Sequence, residues 1–209
     1  MNKLNIETNK NQTSSEKDPY TLIRYEMFYR HFKTNYIKVL DFGCNTGRGG
    51  DLLKKLNPQL IIIGADIIPD RLEQLSKESY YRSINLNDYK ITDYISNVDV
   101  IVSGEVIEHI EITQLVINLS EFYKILSDDG KLLLTTPNPD SILVKLGRNR
   151  VLKDPSHINI MKHEFIVTLL KKIGFSRIRV KGSGKAIKYF GLNFPILNIY
   201  GSYLIVAQK

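Results

Sequence analysis

The sequence has a single cysteine, Cys44, so it can build no disulfide framework within the chain, and that favours a reducing cytoplasm. It has no apolar run as long as a membrane span, and its polar first residues do not read as a signal peptide, so a soluble protein is expected. No internal repeat or low-complexity tract stands out. The G-x-G-x-x-G spacing of dinucleotide-binding dehydrogenases is missing, which makes a NAD-dependent enzyme a poor fit. Neither an RNP-like aromatic motif nor a separate RNA-binding module is visible. Acids are the scarcer charge: 22 Asp plus Glu stand against 29 Lys plus Arg, and the net charge of +7 favours anionic partners such as nucleic acid, nucleotide-linked sugars or an anionic membrane surface.

What is present is enough for one core. With 209 residues, 43% of them hydrophobic, the chain suits a single globular domain over 19–209 behind a mobile polar arm over 1–18. The domain is organised around Val39-Leu40-Asp41-Phe42-Gly43-Cys44-Asn45-Thr46-Gly47, an apolar strand that runs into a glycine turn and then a helix. Gly43 and Gly47 allow the backbone to approach a ligand where a Cβ would collide, and helix-terminal N–H groups point at whatever is bound. Asn45 stands at the usual middle-glycine position, and Asn is among the few residues that tolerate left-handed backbone angles. Cys44, within the turn, reads as a small packing residue. A second buried strand over 60–66 ends in Asp66, at the spacing where doubly wound folds place the carboxylate that holds a ribose.

Along the chain, Asp18-Pro19 resembles an N-cap with proline at the first helical position, and the aromatic helix that follows is expected over the pocket or the sheet edge, with Tyr20, Tyr25 or Tyr29 as substrate neighbours or packing residues. Pro69 opens a helix carrying Leu72 and Leu75. Strands are expected at 80–84, 98–103, 131–136, 175–180 and 199–207, and the stripe Leu115, Leu119, Phe122, Leu126 marks a helix ended by 127–130. The stretch 140–160 holds Lys145, Arg148, Arg150, Lys153 and His157, and reads equally as a solvated basic face or a substrate-recruiting patch. The segment 182–198 could be a lid, a substrate wall or a membrane contact.

The turn Asp41-x-Gly43-x-Asn45-x-Gly47, Gly64-Ala65-Asp66, Glu105-Val106-Ile107-Glu108-His109-Ile110 and Thr135-Thr136-Pro137-Asn138 together resemble the class I S-adenosylmethionine (SAM)-dependent methyltransferases. The last two blocks are similar to the subfamily that includes ubiquinone-biosynthesis O-methyltransferases and enzymes that methylate sugars and secondary metabolites. The resemblance implies an α/β, Rossmann-like fold, a seven-stranded mostly parallel sheet flanked by helices, with the last strand inserted antiparallel between the fifth and sixth. It implies SAM as cofactor, with Asp41, Gly43, Asn45 and Gly47 shaping the bed for the methionine part. Asp66, with Ile67 beside it, would hold the ribose; Asn85, Asn87 or Asp88 would meet adenine; Glu105 would lie near the methyl.

Glu105, Glu108 and His109 are three and four residues apart, which puts all three on one face wherever the segment is helical, and such a trio can bind a divalent ion. The E-x-x-E-H block also resembles the metal site of small-RNA 3′-terminal 2′-O-methyltransferases, which implies His157 as a fourth ligand of magnesium, manganese or zinc. Without metal, His109 with Glu108 would be the catalytic pair, His109 as general base. The expected activity is O-methylation of a small-molecule, glycan (sugar) or lipid-linked acceptor. The alternatives are RNA 2′-O-methylation, which keeps nucleic acid among the partners, and a non-catalytic SAM-binding partner protein.

Overall fold

The computed structural model describes residues 18–87, 90–146, 154–184, 186–191 and 195–209. The expected polar arm, save Asp18, and the expectations placed on Asp88, Arg148, Arg150 and Lys153 lie outside the described residues. In chain order the elements are α1 (Thr21–Tyr29), β1 (Lys38–Phe42), α2 (Arg48–Leu56), β2 (Ile61–Asp66), α3 (Pro69–Leu72), β3 (Tyr80–Asn85), β4 (Val98–Gly104), α4 (Ile112–Ile125), β5 (Leu126–Pro137), α5 (Ile142–Lys145), α6 (His163–Ile173), β6 (Ser176–Ser183), α7 (Ile187–Phe190) and β7 (Ser202–Gln208). Single 3-10 turns occur at Ile91–Asp93, Ile107–His109 and Leu197–Ile199.

The strands form one seven-stranded sheet ordered β3-β2-β1-β4-β5-β7-β6. All neighbouring pairs are parallel except those of β7, which runs antiparallel between β5 and β6. Successive strand residues point to opposite faces, and helices cover both, so the central strands are apolar on both faces over most of their length and turn polar toward their ends. Leu40 and Phe42 enter one core with Leu115, Leu119 and Phe122 of α4 and Ile166 and Leu170 of α6. Val39 enters the other, with Tyr25 and Phe28 of α1 and Leu53 of α2. Each such side chain, fully buried, contributes roughly 1.5–3 kcal/mol.

Four sequence expectations are corrected. The first helix begins at Thr21, because Asp18 spends its side chain on the Tyr20 N–H (2.9 Å) and Pro19 lies outside the helix. The helix opened by Pro69 ends at Leu72, before Leu75. The residues expected to end α4 are already strand: β5 starts at Leu126 and runs through a left-handed Asp129. The last strand starts at Ser202, the residues before it forming the Leu197–Ile199 turn. Since β5, β4 and β1 are parallel and centred in the sheet, their carboxyl ends open on a common crevice, the place where such sheets bind ligands.

Candidate active site

The glycine turn leaves β1 with three left-handed residues, Gly43 (φ 74°), Asn45 (φ 52°) and Gly47 (φ 88°). Asn45 thus takes the backbone conformation its residue type permits. The packing adds a reason for glycine beyond the one expected from sequence. A Cβ on Gly43 would lie 2.4 Å from a Val106 methyl, and one on Gly47 would lie 2.8 Å from Leu75 and 2.9 Å from Tyr80, so the glycines answer to packing inside the protein as well as to φ. Asp41 is fully buried beneath the turn. Its two oxygens accept the Tyr25 hydroxyl (2.5 Å) and the Tyr80 hydroxyl (2.6 Å), which makes it a brace between α1, β1 and β3 rather than a group facing a ligand. Burial pushes its carboxyl up to about 6, against the two tyrosine hydrogen bonds. Tyr25 is consumed by this contact and is buried, so it is no substrate neighbour. Cys44 is buried in the same region, and burial raises its thiol well above the ordinary value.

Asp66 closes the turn from the β2 side. One oxygen accepts the Asn45 N–H (2.9 Å) and the other the Ile68 N–H (3.0 Å), while burial raises the carboxyl. Each oxygen keeps a further lone pair for a hydroxyl. Beside it, Asn87 donates its backbone N–H (3.1 Å) and its amide (3.1 Å) to the Asn85 Oδ1, and its amide also to the Ile67 carbonyl. The structure therefore brings Asn45, Asp66, Ile67, Asn85 and Asn87 together at the ends of β1, β2 and β3.

At the end of β4, Glu105 is left-handed (φ 56°), an uncommon conformation for a residue with a Cβ. Its N–H is held by the Thr135 carbonyl (3.0 Å) and hydroxyl (3.2 Å), its Oε2 accepts the Ser202 hydroxyl (3.2 Å), and its Oε1 lies 3.9 Å from Arg24 Nε. Arg24 reaches over from α1, where it also pairs with Asp18 (3.1 Å), and a Cβ on Gly104 would lie 2.6 Å from its Cδ.

Beyond Glu105 the chain makes only the Ile107–His109 turn, so Glu105, Glu108 and His109 do not share a helical face. Glu108, His109 and His157 come together, with a ligand atom of each within 4.8 Å of the others; Glu105 is not in the group, which corrects the expected four-residue metal set. Glu108 is fully buried, and burial, then the neighbouring charge of Glu105, push its carboxyl well above the usual range. Its Oε2 accepts the Thr136 hydroxyl (3.2 Å). Its carbonyl receives the N–H groups of Ile158 and Asn159, both at 3.0 Å, which clasp residues 154–159 onto the turn. His109 donates Nδ1–H to the Ser156 carbonyl (3.0 Å), and Ser156 is tied to Asp154 Oδ1 by its N–H (3.0 Å) and hydroxyl (2.6 Å). That bond assigns the tautomer and puts the lone pair on Nε2. Burial holds the ring down at about 4, so it is neutral at pH 7. The His109 and His157 rings meet edge to face, 4.7 Å between centres.

Two buried atoms of this cluster, Glu108 Oε1 and His157 Nδ1, have no hydrogen-bond partner among the described residues, and a set of one carboxylate and two imidazoles fits a divalent ion. Sequence reasoning missed Arg24, Ser156 and Ser202. Arg24 lay in a helix read for its aromatic face, and the other two reach the site only through contacts across some 47 and 97 positions of chain. Thr136 lay in a block quoted for resemblance, and its hydroxyl supplies the physical reason for that block.

The family model described as a methyltransferase domain matches residues 15–180. No curated protein matches the chain. Among solved structures, a SAM-dependent methyltransferase from Archaeoglobus fulgidus is 20% identical, with 94% of this chain and 97% of that one covered at a TM-score of 0.70. A SAM-dependent methyltransferase from Thermotoga maritima, described as a possible histamine N-methyltransferase, is 15% identical over 99% of this chain and 97% of its own, with a TM-score of 0.69. The Haemonchus contortus phosphoethanolamine N-methyltransferase 2, solved with SAM, is 15% identical over 90% of this chain and 52% of its own, with a TM-score of 0.67. Because the family model spans more than half of the chain, the chain belongs to the methyltransferase-domain family, and its fold is that of the SAM-dependent methyltransferases it resembles.

Proposed function

We propose that the enzyme moves the SAM methyl group to a hydroxyl of a small-molecule, sugar or lipid-linked acceptor in the cytoplasm, with His109 taking the hydroxyl proton. The observation that carries this reading is the His109 ring beside buried Glu108: neutral, of one tautomer, at the end of β4. Amine acceptors can shed a proton to solvent, whereas a hydroxyl gains from a positioned base. The acceptor oxygen attacks the methyl carbon as the carbon–sulfur bond breaks; sulfur leaves with the electron pair and the proton passes to Nε2. Asp66 holds the ribose hydroxyls, Ile67, Asn85 and Asn87 border the adenine, and Gly43, Asn45 and Gly47 line the methionine part, with Asp41 bracing them from below. Glu105 and Arg24 lie at the methyl end, where alignment of the two reactants is the protein's main contribution.

A second reading is favoured by the two buried atoms that have no hydrogen-bond partner among the described residues, Glu108 Oε1 and His157 Nδ1. Glu108, His109 and His157 would hold a divalent ion, magnesium, manganese or zinc. When bound, it would supply Lewis-acid chemistry that lowers the pKa of an acceptor hydroxyl, including the 2′-hydroxyl of RNA. Metal analysis of the purified protein, with Glu108→Ala as control, separates the readings. Transfer of labelled methyl from SAM into cell extract, fractionated into RNA, lipid-linked glycan and small-molecule pools, tests the acceptor. Label in the last two pools, abolished by His109→Ala, supports the first reading. Label in RNA alone refutes it. SAM binding without label in any pool returns the non-catalytic partner as the better account.

A further inference from the structure

The sheet face that packs against α1 and α2 continues past them towards the β6 edge, and there it turns basic. Arg179 and Lys181 of β6 pair across the sheet with Val206 and Leu204, and Lys131 of β5 is two residues from Leu133; those three apolar partners all belong to the α1-side core, so the three cations stand on that face. Lys131 Nζ donates to the His31 carbonyl (2.8 Å) and lies 5.8 Å from the centre of the Tyr36 ring. Among the described residues, neither Arg179 nor Lys181 is paired with a carboxylate, and nearby Asp129 is engaged by Lys33. His31 reports the resulting field: burial, then the charges of Lys181, Lys131 and Arg179, hold its ring neutral.

The carboxyl end of the same face is apolar. Ile187 anchors α7 on the α1-side core, while Tyr189 and Phe190 of that helix are 74% and 49% exposed. The Tyr200 hydroxyl donates to the Gly191 carbonyl (2.5 Å), which ties α7 to the strand start, and Ile196 between them is 52% exposed. Ser202, two residues after Tyr200, bonds Glu105, so the chain runs from this rim directly into the candidate active site.

We propose that this face docks on an anionic lipid bilayer, with Lys131, Arg179 and Lys181 over the headgroups and Tyr189, Phe190 and Ile196 in the interfacial layer. Cations attracted by anionic lipid and aromatic side chains at headgroup depth are the two elements of peripheral attachment, and here the cations and α7, seated by Ile187, lie on the same side of the sheet. A single-stranded nucleic acid would use the cations and the aromatics, but an exposed isoleucine offers nothing to a stacked base. The docking stands apart from the methyl-transfer reading. Its consequence, that a lipid-linked acceptor meets the active-site mouth at the membrane, rests on that reading.

The test uses the full chain with vesicles of phosphatidylcholine alone and of phosphatidylcholine mixed with phosphatidylglycerol. The chain has no tryptophan, so Tyr189→Trp places a single reporter at the rim. The protein is expected to sediment with the anionic vesicles only, and to be released by salt. Arg179→Glu with Lys181→Glu should weaken binding by at least about tenfold, since each cation strengthens attachment roughly fivefold. Tyr189→Trp should show a blue-shifted emission on anionic vesicles. Unchanged SAM affinity in these variants shows that the fold and cofactor site are intact, whatever the vesicles report. Absence of sedimentation, binding undiminished by charge reversal, or unshifted emission overturns the proposal. So does charge-dependent capture of a single-stranded RNA oligonucleotide without vesicle binding.

Discussion

Asp66 has a structural role in the turn, its two oxygens accepting the Asn45 and Ile68 N–H groups, and the proposed function adds a ribose hydroxyl to the same carboxylate. Charged hydrogen bonds of this kind are worth roughly 1.5–3 kcal/mol, so Asp66→Ala should weaken SAM binding about tenfold to a hundredfold by calorimetric titration. Unchanged affinity would remove Asp66 from the cofactor site. Asp41 has the opposite character, because its partners are tyrosines and its surroundings are dry. Its carboxyl is held at about 6, above the ordinary carboxylate value, so the folded state binds its proton more tightly than the unfolded chain does. The stability this gives is fully present below about pH 4 and is lost as pH rises through 6, on the order of 3 kcal/mol for this group. Denaturant titrations should therefore show Asp41→Asn flattening the stability profile between pH 4 and 6; a wild-type slope in the variant would refute the assignment. Both acids were visible in sequence as strand-end residues. That Asp41 meets two tyrosine hydroxyls was not, since Tyr25 and Tyr80 lie 16 and 39 positions away from it.

At the scale of elements, periodicity served where a helix packs one face on the sheet. The stripe of α4 buries Leu115, Leu119 and Phe122 as its spacing requires. The same reasoning failed at 105–109, because Thr135, Thr136 and Ser202 capture the two glutamates from neighbouring strands and Glu105 turns left-handed before a helix can form. The segment 154–159 then supplies what the short turn lacks. The Asn159 amide donates to the Ile110 carbonyl, and Asp154 fixes Ser156, whose carbonyl orients His109. Asp154→Ala is expected to speed amide exchange at Ile158 and Asn159 and to lower methyl transfer about tenfold or more, while SAM affinity stays unchanged, as misplacement of a catalytic group does. Equal loss of SAM affinity would instead make this segment part of the cofactor site.

For the whole molecule, the turn proposed to take SAM joins β1 to α2 and so links a sheet strand to a helix of the α1-side core, and a ligand bound there stabilises the fold as a whole. SAM at about a hundred times its Kd should stabilise the fold by about 2.7 kcal/mol. In a chain of this size that corresponds to a rise in Tm of about 5–10 °C, with none from NAD; equal shifts from both would contradict the cofactor assignment. Among the described residues no helix is long and apolar enough to cross a membrane.

The sequence by itself determined the fold class, the strand-turn-helix around Gly43 and Gly47, the acid that ends β2 and the presence of a carboxylate–imidazole group after β4. These are carried by local pattern: hydrophobic runs, glycine spacing and residue type. Only the tertiary structure decided that Val106 and Tyr80 crowd the glycines, that Asp41 is braced by two tyrosines, that Arg24 reaches Glu105, and that His157 joins Glu108 and His109 while Glu105 does not. Each of those depends on contacts between residues far apart in the chain, and the strand order that brings them together has no signature in any local window of sequence.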